Sequence, residues 1–242
     1  MLGRKIIQIE CVDSTNNYTA NLLNDGKIEF GTVILADEQT SGKGQRGASW
    51  YSNPAQNLLF SICLDTANMS VNDQFVLTQF VSVSIVNTLK KTGLNAVIKW
   101  PNDVLINHKK IAGVLIENQL KGSRLSSTIV GIGLNINQTE FGDLKATSIK
   151  VETGENTSIT EFVFSLLHEM NIHWNLVVNG DFSSLKNKYL NDLWLLNQTA
   201  KFRDAEGEFK GIIRGVEENG LLKMEKGGKM VTYDLKEISF DY

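Results

Sequence analysis

Residues 96–113 read AVIKWPNDVLINHKKIAG, three apolar runs separated by two polar turns. A β-branched apolar run carries Lys99 and Trp100 to Pro101, which cannot donate to a sheet ladder and turns the chain. Asn102 and Asp103 suit that turn, and residues 104–106 leave it as a second strand. Asn107, His108 and Lys109 make another turn, and a third run extends from Ile111 to Glu117. Lys99, Asp103 and Lys110 therefore fall near strand ends, a set suited to holding a polyanion and a metal ion. The same spacing also suits a solvated hairpin with surface lysines.

Upstream, Asp13-Ser14-Thr15-Asn16 is a cluster of N-cap residues, followed by Tyr18, Leu22 and Leu23 and closed by Gly26. This predicts a short helix whose first turn presents hydroxyls and an amide. A strand is expected over 32–38. Residues 39–57 then form a glycine-rich polar loop around Trp50, too long for a simple turn, and 57–65 return as an apolar strand. From Ser70, residues Phe75, Val76, Phe80, Val81, Val83, Val86 and Leu89 predict a broadly apolar, buried helix ended by Gly93.

Downstream, residues 127–137 alternate. Thr128, Val130, Ile132, Leu134 and Ile136 take one face, leaving Gly131, Gly133, Asn135 and Asn137 on the other. Two glycines on one face leave room for a ligand, or for a closely packed helix. Ser158-Ile159-Thr160-Glu161 is a capping box opening a helix to Gly180, and Asp181 opens another with Leu185, Tyr189, Leu190, Leu193 and Trp194. Near Asn197 the character changes to short β runs at 201–203, 211–216, 221–224, 230–233 and 238–240. Regular short strands with glycine turns predict a small SH3-like β-barrel, dividing the chain into 1–195 and 196–242.

Composition limits the function. The 242 residues carry a net charge of −3, and the last 43 hold eight Lys/Arg against nine Asp/Glu, so no nucleic-acid partner is expected. No membrane span, signal peptide or disulfide framework is visible, and Cys11 and Cys63 suit a reducing cytoplasm. His108, His168 and His173 are scattered rather than clustered. Gly42-Lys43-Gly44-Gln45-Arg46-Gly47 matches G-x-G-x-x-G, but no helix follows it, so the dinucleotide-binding context fails. The loop still offers closely spaced backbone N–H groups and two cations to phosphate, with Trp50 either stacking on a purine or capping the core.

Taken in order, Ser14-Thr15-Asn16, Gln39 with the 42–47 loop and Trp50, Lys99-Trp100-Pro101-Asn102-Asp103, Lys110-Ile111-Ala112-Gly113 and Gly131-Ile132-Gly133-Leu134-Asn135-Ile136-Asn137 resemble the biotin protein ligases (biotin–[acetyl-CoA-carboxylase] ligases) over essentially the whole chain. The K-W-P-N-D block followed by K-I-A-G is the specific part. The resemblance implies an α+β fold: a mixed β-sheet with flanking helices, related to class II aminoacyl-tRNA synthetases, plus the small C-terminal barrel. It also implies an ATP-dependent enzyme that makes biotinyl-5′-AMP and passes biotin to one lysine of a biotin carboxyl carrier protein domain, with Mg²⁺ as cofactor. A homodimer is left open.

On that resemblance Ser14, Thr15, Asn16, Gln39 and Gly113 would bind biotin. Gly42, Lys43, Gly44, Gln45, Arg46, Gly47, Trp50, Asn102 and Asn135 would bind ATP or the adenylate. Lys110, Asp103 and Lys99 would carry the chemistry, with Lys110 the principal cation and Asp103 placing Mg²⁺ or ordering Lys110. Two features depart from the family pattern. Gln45 and Ala48 stand where the family loop commonly carries cations. Ser14 also arrives too early to leave room for the DNA-binding winged helix of some relatives, so no operator binding is expected. The alternatives are a lipoate or octanoyl ligase of the same fold, which would lack the K-W-P-N-D block, and a non-catalytic biotin-binding regulator.

Overall fold

The computed structural model describes residues 1–240, without the side chain of Arg46. Seven strands form one sheet in the order β1-β2-β3-β7-β6-β5-β4: β1 (Ile6–Val12), β2 (Val33–Gln39), β3 (Asn57–Asp65), β4 (Val97–Lys99), β5 (Asp103–Ile106), β6 (Lys109–Lys121) and β7 (Arg124–Asn135). Only β1 and β2 pair in parallel, so the sheet is mixed, as expected. β1 was not anticipated, although Ile7, Ile9 and Cys11 alternate with Gln8 and Glu10; it is an edge strand and only partly buried.

The alternation in β7 sorts its two faces. Val130, Ile132 and Leu134 enter the core with the long helix α2 (Phe75–Lys91), most of whose side chains are buried. Helices α4 (Ile159–Val178) and α5 (Phe182–Asn191) pack on α2. Their starts follow the sequence signals: the Ser158 hydroxyl accepts from the Glu161 N–H, and the Asp181 carboxylate from the Ser184 N–H. Helix α1 (Thr15–Asn24) lies against β3, β7 and β2 instead, beside the face carrying Ser61, Gly131 and Gly133. A short helix α3 (Ile149–Thr153), not foreseen in sequence, is capped by Ser148.

From Thr199 the chain builds a second, antiparallel sheet ordered β11-β10-β9-β8-β12: β8 (Thr199–Asp204), β9 (Gly207–Val216), β10 (Leu222–Lys226), β11 (Lys229–Tyr233) and β12 (Ser239–Phe240). A register shift between Lys223 and Met224 bends it around Phe202, Ile213, Leu222 and Met224, all buried. It is docked onto the larger unit: Trp100 Nε1 donates to the Gly220 carbonyl (2.9 Å). Among the described residues no helix is long and apolar enough to cross a membrane.

Between α2 and α4 lies a buried polar cluster. His173 Nδ1 sits 3.1 Å from Ser84 Oγ, while Glu169 accepts from Asn87 (3.2 Å) and pairs with Lys91 (2.6 Å). Burial pushes the His173 pKa below its usual value and Lys188 adds to this, while the Glu169 charge opposes it. The unfolded chain therefore binds the proton first, so stability falls as pH drops below about 6.5 and levels off below the folded pKa. The thermal midpoint should decline over that window, and His173→Gln should flatten the decline there; an unchanged slope would contradict this assignment.

Candidate active site

Three neighbouring strands give the site its floor. Ser61 of β3 lies opposite Gly131 of β7, and Gly133 lies opposite Gly113 of β6. Above Ser61 and Gly131, the first turn of α1 brings Ser14, Thr15 and Asn16, only 2–3% exposed. Ser14 is the N-cap by backbone geometry, yet its hydroxyl makes no cap bond. Gln39 Oε1 accepts from Thr15 N (2.8 Å) and Thr15 Oγ1 (2.9 Å). Ser61 Oγ lies 2.7 Å from Thr15 Oγ1 and 2.6 Å from Asn16 Oδ1, and Asn16 Nδ2 donates to Glu117 Oε2 (2.7 Å). These partners fix which way the Asn16 amide faces.

The glycines seat side chains of the site. A Cβ on Gly131 would stand 2.4 Å from Asn16 Oδ1, and one on Gly133 would stand 2.4 Å from Trp50 Cε2. Trp50 is carried by the 42–50 loop, which is closed by backbone bonds: Gly44 N donates to the Ala48 carbonyl (2.7 Å) and Trp50 N to the Gly42 carbonyl (2.9 Å). Lys43 Nζ pins the loop to α1 through Asn17 Oδ1 (2.6 Å). Trp50 Nε1 is buried and has no hydrogen-bond partner. Lys43, Gly44, Gln45 and Trp50 line the cavity, whereas Gly42 and Gly47 build the loop without reaching its wall. The Arg46 side chain lies outside the described residues.

On the opposite side, β4 and β5 pair Lys99 with Asp103. Asp103 Oδ1 lies 2.5 Å from Lys110 Nζ, and Oδ2 lies 3.8 Å from Lys99 Nζ. Lys110 and Gly113 are three residues apart and would face opposite sides of a regular strand. The β5–β6 register slips between Val104 and Leu105, leaving Ile111 as an extra, buried residue and turning Lys110 onto the face of Asp103 and Gly113. The Lys110 backbone is held in turn, its N–H donating to the Lys145 carbonyl (3.0 Å) and its carbonyl accepting from Thr147 N (2.9 Å).

Two predicted contacts move. Asn135 is buried behind the site, not on the cavity wall, and its amide donates to the Thr147 carbonyl (2.9 Å), securing the segment that holds Lys110. Asn102 does line the cavity, but its amide is spent on the Val114 carbonyl, tying the turn to β6. Trp100 and Tyr189 clamp the same turn, the latter donating to the Pro101 carbonyl (2.9 Å). Asp103 is the one carboxylate that the described residues bring to the cavity wall, so a Mg²⁺ ion held here would take it together with phosphate oxygens of the nucleotide. Its carboxylate lies between two ammonium groups, and no group of three His, Cys, Asp or Glu able to hold a metal exists among the described residues.

Together these walls enclose a cavity of about 670 Å³. Ser61 and Glu117 were missed in sequence. Ser61 had left a trace as the one hydroxyl in the apolar run of β3, but Glu117 had left none. The C-terminal sheet also contributes to the wall, through Leu235, Lys236, Ile238, Ser239 and Phe240, which the sequence did not single out. Phe240 presents its ring 5.4 Å from Lys99 Nζ.

A model of the Biotin/lipoate A/B protein ligase family matches residues 8–135. The bifunctional ligase/repressor BirA of Bacillus subtilis is 29% identical over 231 residues, which cover 93% of this chain and 70% of that protein. The biotin–[acetyl-CoA-carboxylase] ligase of Paracoccus denitrificans is 29% identical over 223 residues, 87% of this chain and 90% of its own length. Among solved structures, the biotin protein ligase of Aquifex aeolicus in complex with biotin and ATP superposes with a TM-score of 0.81 at 28% identity, covering 98% of this chain and 99% of that one. The chain belongs to the biotin/lipoate A/B protein ligase family.

Proposed function

We propose that this enzyme joins biotin to ATP as biotinyl-5′-AMP and then passes biotin to one lysine of a biotin carboxyl carrier protein domain, with the chemistry carried by residues 1–195. One observation carries the reading: a buried, pre-oriented donor–acceptor set at 14–16 shares a cavity with the Lys110–Asp103–Lys99 cluster. Biotin's ureido ring is neutral and rich in both donors and acceptors, which suits Ser14, Thr15, Asn16 and Gln39. Gly113 lets the rest of the molecule run close to the backbone. Trp50, resting on Gly133, offers ring surface to adenine, and Lys43, Gln45 and the loop backbone cover the phosphates.

In the first step a biotin carboxylate oxygen bonds to the α-phosphorus, and the bond to the bridging oxygen breaks, so the electron pair leaves on pyrophosphate. Negative charge grows on the α-phosphate oxygens, where the Lys110 ammonium lowers the barrier; Asp103 positions it and Lys99 adds to the field. In the second step the neutral carrier lysine attacks the acyl carbon of the mixed anhydride, loses its proton, and expels AMP. No protein nucleophile is required. Mg²⁺ would enter with the triphosphate, with Asp103 the carboxylate on the described wall able to meet it, and no step here is assigned to it. The free Cys11 and Cys63 suit the cytoplasm.

Incubating a carrier domain with the chain, ATP, Mg²⁺ and biotin should add one biotinyl group by intact-mass spectrometry, and lipoate in place of biotin should add nothing. No transfer from either acid would favour a non-catalytic binder, and lipoyl transfer alone would favour the lipoate reading. Gly131→Ala should push Asn16 from its place and weaken biotin binding by about tenfold or more in calorimetry, with little change in the KM for ATP. Unaltered biotin affinity would remove Asn16 from the ureido site.

A further inference from the structure

The place of the Lys110 ammonium depends on its backbone, and two pieces of chain outside the cavity hold that backbone. On one side, the segment 145–147 meets Lys110 in a single parallel bridge through Ala146. Its Lys145 carbonyl accepts from Lys110 N, and its Thr147 N donates to the Lys110 carbonyl. On the other side is the tight β5–β6 turn, where Asn107 and His108 have φ +49° and +60° and Leu105 pairs with Lys110 across the hairpin. Neither the segment nor the turn lines the cavity.

One carboxylate joins the two. Glu152 Oε1 accepts from Thr147 Oγ1 (2.5 Å), and Glu152 Oε2 accepts from Asn107 Nδ2 (2.7 Å). A carboxylate accepts at both oxygens, so it can bridge two donors that do not otherwise meet. Thr147 is buried, and its carbonyl already takes the Asn135 amide, leaving its hydroxyl for Glu152. Glu152 is itself fixed, because α3 is pinned at its start. The Ser148 hydroxyl accepts from Val151 N (3.1 Å), Glu152 N donates to the Ser148 carbonyl (3.1 Å), and Lys150 N donates to the Ile136 carbonyl just past β7 (2.9 Å). Ile149 enters the core beside them. Glu152 lies off the cavity wall, so its effect on a reaction there passes through Lys110.

Resting on the reading of Lys110 as the adenylating cation, we infer that Glu152 is a positioning residue for the reaction: by tying Thr147 to Asn107 it fixes the backbone on both sides of Lys110 and so the place of its ammonium. Without that tie the β5–β6 turn and the segment 145–147 shift independently. The ammonium then loses the fixed position that stabilising a developing charge requires.

Biotin-dependent ATP–pyrophosphate exchange tests this. Glu152→Ala should lower kcat by about tenfold, with the KM for ATP and the biotin affinity close to wild type. Glu152→Gln should recover most of the rate, because its carbonyl still accepts from Thr147 and the exposed Asn107 amide can turn to accept from its NH₂. Thr147→Val removes only the hydroxyl and keeps the N–H on Lys110; it should reproduce the loss even if Glu152→Ala does not fold. In a Lys110→Met background, adding Glu152→Ala should cost nothing further, a non-additivity that a general loss of stability would not give. Unchanged kcat in Glu152→Ala and Thr147→Val would overturn the inference, as would a loss that persists in full without the lysine. A wild-type protein with no exchange, or Lys110→Met with an unaltered rate, would instead overturn the reading of the site beneath it.

Discussion

One extra residue in the ladder between β5 and β6 decides what this site can do. A strand alternates its side chains, so Lys110 and Gly113 can share a face only if the register slips between them, and the bulge at Ile111 makes that slip. Ile111 enters the core, Lys110 turns to within 2.5 Å of Asp103, and Gly113 remains beside Gly133 and Trp50. The ammonium is then held twice over, by the carboxylate at its tip and by backbone bonds to Lys145 and Thr147 at its base. Asn135 secures Thr147 from behind. A cation fixed before substrate arrives stabilises developing charge without reorganising at the moment of reaction.

The other end of the cavity follows the same logic with neutral groups. Ser14, Thr15 and Asn16 are nearly out of water, where an unpaired polar group costs about 1–3 kcal/mol. Gln39, Ser61 and Glu117 meet that cost for Thr15 and Asn16, and in doing so set the directions in which these side chains can meet a ligand. The glycines of β7 make the network sterically feasible, Gly131 beneath Asn16 and Gly133 beneath Trp50. Room for a ligand and close packing were alternatives for these glycines in sequence. In the structure they are one arrangement, because the side chains that pack there are those lining the cavity.

Much of this is legible in the sequence. The side-chain caps of α4 and α5, the apolar width of α2, β3 to the residue, and the five short C-terminal strands all follow from local patterns that the structure keeps. Most residues expected at the site do line one cavity. What could not be read depends on non-local geometry. The bulge is invisible in a string of alternating residues; Asn135 has the face parity of Gly131 and Gly133 but sits at the strand's end, where Thr147 claims it; and Lys236 is 126 residues from Lys110, brought near by the docking of two sheets. Asp103 was legible with two roles, placing Mg²⁺ or ordering Lys110, and the fold puts both lysines beside it.

The role proposed for Lys110, aimed by the bulge and by Asp103, is to stabilise charge on the α-phosphate. Lys110→Met keeps the length of the side chain and removes its charge, and biotin-dependent ATP–pyrophosphate exchange reads the adenylation step alone. Exchange should fall by about a hundredfold or more while biotin affinity, measured separately, is retained. Exchange within a few-fold of wild type would contradict it.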